Sequence, residues 1–413
     1  MPQVLKNLAL IDQANIHSNR DFLLDENGLT PLVEGQKIEG FEVIDCSGLF
    51  VSKAWIDLRC SSGDPGFEHK EDIDSLCETL LKSGFGTGVL LPNTNPVIQS
   101  KNEIDYVKAK SAKHAVKLLI QAAVTIGTKG EDLTEILDMH YQTGVKIFGD
   151  GLVTLANSDR YMKILQYLQK FDGVLFDHAY DPLLSIFGKM HEGKISTNLG
   201  LKGIPNLAED VAIQKNLEIL RYTGGKVHFQ TLSTRKGVDL IRKAKAEGLK
   251  VTSDISIYQL IFKDSDLVTF DPNYKVIPPF RREEDRQALI EGLKDGTIDA
   301  LVSNHQPQDY DSKFMEFDLA ENGMAGLMTF LPAMVSLEKE LTWPLLIDKV
   351  TSGPAKVIED SEKDSWVIFD PKEKWTFNRQ MSPSKASNSP WFGKELQGKA
   401  KYFIKAGALT KLT

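Results

Sequence analysis

The sequence predicts an α/β protein: a (β/α)8 barrel of TIM type with a small β-sandwich domain formed by the N- and C-terminal segments. Three observations predict it. From about residue 53 to residue 360, short continuous apolar runs alternate with longer amphipathic stretches, the pattern of a parallel sheet covered by helices. Both chain ends instead read as short β-type text. The length of 413 residues suits one large barrel with an appendage.

At the N-terminus, Val4–Ile11 and Gly40–Asp45 are partly alternating segments, punctuated by Gly35, Gly48 and the turn signal Asn27-Gly28. The apolar runs then follow at Gly88–Leu91, Lys117–Ala123, Gly144–Phe148, Gly173–Asp177, Lys226–Phe229, Lys250–Ser253 and Ile298–Val302. Between them lie helical patterns. Ile73 to Ser83 places Ile73, Leu76, Cys77, Leu80 and Leu81 on one face; Gly237 to Glu247 and Glu284 to Lys294 behave likewise. From about Lys363 the text returns to β in Ser365–Asp370 and Lys401–Gly407. The expected division is a composite β-domain of residues 1–52 plus 361–413 beside a barrel of residues 53–360.

Hydrophobic residues at 41% and charged residues at 26% are ordinary for a soluble globular chain. A net charge of -8 without a basic cluster argues against nucleic acid. No run of about 18 apolar residues predicts a membrane span, and the N-terminus lacks the apolar core of a signal peptide. Three cysteines, Cys46, Cys60 and Cys77, suit a reducing compartment without a disulfide framework. A cytoplasmic protein is expected.

Several motifs carry a family resemblance. Ala54-Trp55-Ile56-Asp57-Leu58-Arg59-Cys60-Ser61-Ser62-Gly63 resembles the start of the dihydroorotase barrel, where an Asp-x-His-x-His-x-Arg motif seats zinc and the substrate carboxylate. Pro92-Asn93-Thr94-Asn95-Pro96 resembles that family's substrate-contacting turn. Lys275-Val276-Ile277-Pro278-Pro279-Phe280-Arg281, Leu293–Ala300 and Asn388–Gly393 are similar to further family segments. The resemblance covers nearly the whole chain and implies the amidohydrolase superfamily, its barrel and its cyclic-amide hydrolase chemistry in pyrimidine biosynthesis.

The residues that do this chemistry in the family are mostly replaced. The two histidine positions hold Arg59 and Ser61, and the arginine position holds Gly63. A guanidinium cannot ligate zinc. The bridging position falls at Asp150, and one ligand is retained as His178; the next ligand position is Thr231. Asn304 stands at the family's catalytic aspartate position and has no carboxylate to act as a base. Ile277 and Gln308 replace an asparagine and a histidine of the substrate set, leaving Asn93. Catalytic zinc is usually held by three protein ligands, so no cofactor is expected. Arg59 is expected to pair with a carboxylate, Asp150 ahead of Asp57 or Asp64.

Structural roles compete at each position. His178 reads as a hydrogen-bonded strand-end residue, His228 and His305 as structural histidines, and Asp150 and Asn93 as turn formers. Cys60 and Cys77 read as inert core thiols. Arg281-Arg282 before Glu283-Glu284-Asp285 marks a helix start. The resemblance therefore implies a dihydroorotase-like protein without catalysis, serving as a structural or regulatory partner. Aspartate transcarbamoylase or an active dihydroorotase would be its partner, and a homodimer its assembly. The alternative is an active zinc-dependent dihydroorotase or related cyclic-amide hydrolase with a rebuilt site.

Overall fold

Eight parallel strands occupy the apolar runs: β1 (Trp55–Cys60), β2 (Phe85–Leu90), β3 (Lys117–Ala122), β4 (Ile147–Phe148), β5 (Val174–Asp177), β6 (Val227–Phe229), β7 (Val251–Ser256) and β8 (Ala300–Val302). They are hydrogen-bonded to one another in chain order. A parallel bridge between Cys60 and His305 brings the end of β1 to the residues beyond β8 and completes the ring. The structure, a computed structural model, describes residues 2–33, 38, 40–360 and 364–412. Met1, the expected turn residue Gly35 and the expected start of the C-terminal β text at Lys363 lie outside the described residues.

Ile56, Leu58, Val89, Ile147, Val174, Phe176, Ala300 and Val302 fill one apolar cluster among the strands. A larger cluster packs strands against helices. The helix Ile73–Lys82 shows how sequence becomes layer. Asp72 accepts a hydrogen bond from the Ser75 amide at 2.7 Å, and the Asp72 amide donates to Ser75 Oγ at 3.1 Å, a reciprocal cap. Ile73, Leu76, Cys77 and Leu80 are buried on its inner face, each large side chain worth about 1.5–3 kcal/mol of transfer free energy. The other two expected helices are Arg235–Ala246 and Glu283–Lys294.

The two chain ends share a sheet. Its order runs Ala408–Lys411, Glu395–Lys405, Ser365–Thr376, Phe50–Lys53, Gln3–Ile11, Ile16–Asp25 and Gly28–Pro31, with Glu42–Asp45 pairing on Gln3–Ile11. Val367 lies opposite Ser52 and Trp366 opposite Lys53. The turn expected at Asn27-Gly28 falls one residue earlier: Glu26 and Asn27 form the loop, and Gly28, at φ 99°, opens the next strand opposite Asp25. Leu5, Leu8, Phe22, Val51, Ile368 and Ile404 make this sheet's own core. Aromatic contacts join it to the barrel: Phe369 lies 5.6 Å from Trp55 and 5.4 Å from Trp343 between ring centroids.

Candidate functional site

The C-terminal ends of the barrel strands converge on Arg59, which is wholly buried. Its guanidinium donates from Nε to Asn304 Oδ1 at 3.0 Å and from Nη1 to Gln230 Oε1 at 2.7 Å. Nη1 and Nη2 both lie 3.3 Å from the Gly151 carbonyl oxygen. The ends of β1, β4, β6 and β8 are thereby tied to one side chain. Burial lowers its pKa to about 10, partly offset by Asp254 and Asp57, so it stays cationic at neutral pH.

The expected ion pair of Arg59 with Asp150 is not formed. Asp150 Oδ1 accepts from the amides of Val124 and Thr125 at 3.0 and 3.1 Å, and its Oδ2 from the Thr125 hydroxyl. The carboxylate is thus turned away to hold the loop after β3, and burial pushes its pKa up to about 6. Asp57 and Asp64 are also engaged elsewhere. Asp57 takes the Ser303 amide at 3.0 Å, and Asp64 the Tyr106 hydroxyl at 2.7 Å and the Lys110 ammonium. Asp150 is therefore more than a turn residue: its acceptors were committed to backbone donors that burial would otherwise leave unpaired.

His178 Nδ1 sits 3.1 Å from Thr231 Oγ1. Burial and the nearby Arg59 hold its pKa well below the ordinary histidine value, so it is neutral. Thr231 donates its amide to Asp254 Oδ1 at 2.6 Å. Thr231 and Asn304 both adopt positive φ, 52° and 46°, a conformation unfavourable to side chains bearing Cβ that surrounding contacts must hold. Asn304 Oδ1 also accepts from Gln306 Nε2 at 2.9 Å.

A cavity of about 320 Å³ opens above these residues, lined among others by Ser61, Asn93, His178, Ile277 and Gln308. Asn93 does more than turn the chain. Its Oδ1 accepts from the Leu152 amide at 2.8 Å and its Nδ2 donates to the Asp150 carbonyl at 3.1 Å. Gly63 also lines the cavity, but no side chain fits there. A Cβ would lie 2.0 Å from the Phe67 carbonyl oxygen and 3.0 Å from that of Glu71. The loop after β1 has closed over the place of the family's arginine.

Both histidines expected to be structural are buried. His228 bridges Thr252 Oγ1 at 2.9 Å and Asp254 Oδ2 at 2.8 Å; His305 Nδ1 accepts from the Gly326 amide at 3.2 Å. Cys60 and Cys77 are buried free thiols whose pKa burial raises, to about 12 for Cys77. Arg282 does precede the helix Glu283–Lys294 with acidic residues in its first turn. Arg281, however, is buried and donates to Ser233 Oγ at 3.0 Å and the Ile204 carbonyl at 2.8 Å. Arg281, Gln230 and Lys70, whose ammonium donates to Gln308 Oε1 at 2.7 Å, were not singled out for these contacts. The position of Gln230, one residue before the expected ligand position Thr231, was its only signal in the sequence.

The closed parallel barrel, the polar strand ends at its mouth and the sheet built from both termini define the amidohydrolase class of fold. L-hydantoinase (dihydropyrimidinase) from Arthrobacter aurescens superposes with a TM-score of 0.83 at 21% identity, covering 100% of this chain and 96% of that one. Dihydropyrimidinase from Brevibacillus agri gives 0.80 at 17% identity, over 99% and 95%. Within that class the chain belongs to the dihydroorotase family. The family model described as Dihydro-orotase-like matches residues 49–237. Dihydroorotase from Caldanaerobacter subterraneus subsp. tengcongensis is 34% identical over 98% of this chain and 96% of its own length. The dihydroorotase of Ruminiclostridium cellulolyticum is 38% identical over 90% of each chain.

Zinc of this family does not fit the residues present. Among the described residues, no three His, Cys, Asp or Glu side chains converge as a metal site. His178 and Asp150 bond to Thr231 and Thr125, and the volume between strand ends holds a guanidinium whose charge opposes a second cation.

Proposed function

We propose that this chain is a non-catalytic member of the dihydroorotase family, acting in pyrimidine biosynthesis as a structural or regulatory partner. One observation carries the reading: the fully buried Arg59 guanidinium, bonded to Asn304 Oδ1, stands among the strand ends where hydrolysis needs a base and a metal-activated water. An amide oxygen already accepting two hydrogen bonds is no general base. The partner is an aspartate transcarbamoylase or an active dihydroorotase, with the chain itself a cytoplasmic homodimer. Exposed apolar side chains such as Leu183, Phe187, Phe314 and Leu319 support a partner role.

A second reading, an active zinc-dependent cyclic-amide hydrolase with a rebuilt site, is favoured by the relatives named dihydroorotase at 34% identity over 98% of the chain. One experiment separates the two. Dihydroorotate hydrolysis and metal content are measured on protein purified without added metal, for the parent and for Arg59→His. The expected result is no turnover and no stoichiometric zinc in either, because residues acting as a unit are not restored singly. Turnover above background by the parent with about one zinc per chain would establish the second reading.

A further inference from the structure

Arg59 is a tethered cation that organises the barrel mouth, and we infer that its guanidinium performs the structural task of a bound metal ion at this place. The inference goes beyond the proposed function and concerns what holds the barrel mouth together.

Three features argue for it. The first is geometric. The acceptors come from three separated stretches: Gly151 after β4, Gln230 after β6 and Asn304 after β8, while the donor is on β1. A side chain bridging four strand ends does what a multidentate cation does, and the planar fork of arginine spreads five donors over three nitrogens where an ammonium has three on one. The second is electrostatic. Among the described residues, the acceptors of the hydrogen bonds from Arg59 are neutral, amides and a peptide carbonyl, and it forms no ion pair with a carboxylate. Asp57 and Asp254 stabilise the charge only across a longer gap. A buried charge is tolerable when its donors are met; here they are met by Gln230 Oε1, the Gly151 carbonyl and Asn304 Oδ1, the last of which also accepts from Gln306 Nε2. Gln230 Nε2 already has no partner, so losing Arg59 would orphan that side chain entirely. The third is conformational. Asn304 is held at φ 46°, and the contact from Arg59 Nε fixes the side chain of that residue. The neighbouring Gly151 sits at φ 63°, where a Cβ would meet Asn93 Oδ1 at 2.1 Å. The hub thus connects directly to the Asn93 brace that lines the cavity.

Arg59 is accordingly a positioning residue, and its removal leaves a hole shaped for a planar guanidinium. The test is chemical rescue in the full chain. Thermal unfolding is followed for the parent and for Arg59→Ala, each in buffer, with millimolar guanidinium or methylguanidinium, with equal ammonium, and with zinc; the parent is also treated with a chelator. Arg59→Ala should lose about 5 °C or more in Tm. Guanidinium compounds should recover at least half of that loss, ammonium and zinc none, and the chelator should leave the parent unchanged. A purely space-filling role would not respond to guanidinium. The inference is overturned if Arg59→Ala is as stable as the parent, if no guanidinium compound restores it, if zinc restores it, or if chelation lowers the Tm of the parent. Should Arg59→Ala fail to fold, Arg59→Lys keeps the charge and loses the fork. A lysine variant melting below the parent supports the inference, and one matching the parent overturns it.

Discussion

At the scale of single residues, Gly63 shows that a missing catalytic-type side chain is a matter of backbone as well as spelling. The loop from Gly63 to Glu71 closes on itself, with the Gly63 amide donating to the Glu71 carbonyl at 2.8 Å. The space that an arginine would need is filled by the Phe67 carbonyl. Gly63→Arg should therefore not restore a carboxylate contact. It should destabilise the chain by about 2–4 kcal/mol, the range for a change that forces backbone to move, read by urea unfolding. A variant as stable as the parent would show that the loop yields readily. Asn93 was legible as a site residue from its motif. That it spends both amide atoms on residues 150–152 was not, because those partners lie on another strand end.

At the scale of elements, the helix Arg235–Ala246 begins under a carboxylate from elsewhere in the chain. Glu209 Oε1 accepts from the amides of Ser233 and Thr234 at 2.9 Å each and from the Thr234 hydroxyl at 3.0 Å. Thr234 in turn accepts from the Gly237 amide at 3.0 Å, a conventional N-cap. A buried carboxylate at a helix N-terminus meets both the unpaired amides and the dipole. Glu209→Gln keeps the shape, but its amide nitrogen cannot accept from the Ser233 hydroxyl. That variant should lose about 1–3 kcal/mol of stability, seen as a lower Tm with unchanged far-ultraviolet circular dichroism. An unchanged Tm would mean the charge contributes nothing there. The helix itself was readable from its periodicity; the carboxylate beneath its cap was not, since Glu209 lies on the helix Asn206–Thr223.

At the scale of the whole molecule, buried acids shape the response to pH. Burial raises the pKa of Asp57, Asp150 and Asp177 to about 6. A carboxyl whose folded pKa lies above its unfolded value near 3.8 binds its proton more tightly when folded. Its contribution is fully present below pH 3.8 and is lost as pH rises through 6. Asp177 is the clearest case. Tyr161 and Asn216 both donate to its Oδ2, at 3.0 and 2.7 Å, while Oδ1 has no partner. Asp177→Asn keeps an oxygen for both donors and removes the charge. It should be at least as stable as the parent at pH 7.5, by up to about 1–3 kcal/mol, with the advantage shrinking at pH 4.5. Chemical denaturation at the two pH values measures it. A loss at pH 7.5 that shrinks at pH 4.5 would show instead that the charged form is needed.

The sequence alone determined the alternation that makes a barrel, the β character of both ends, the helix faces and the family. These follow from apolar periodicity and from contiguous motifs, which act over a few residues. It also placed Arg59, Ser61, Thr231, Asn304, His178 and Asp150 at one site through the family pattern. Tertiary structure alone decided what those residues do to one another. Pairing Arg59 with Asp150 was the natural inference from charge. The fold gave Asp150 to the backbone of Val124 and Thr125, and gave Arg59 to Gly151, Gln230 and Asn304. The physical reason is that a buried acceptor is claimed by whichever donor the strand ends present to it in three dimensions. That competition among residues far apart in sequence leaves no periodic trace in the chain.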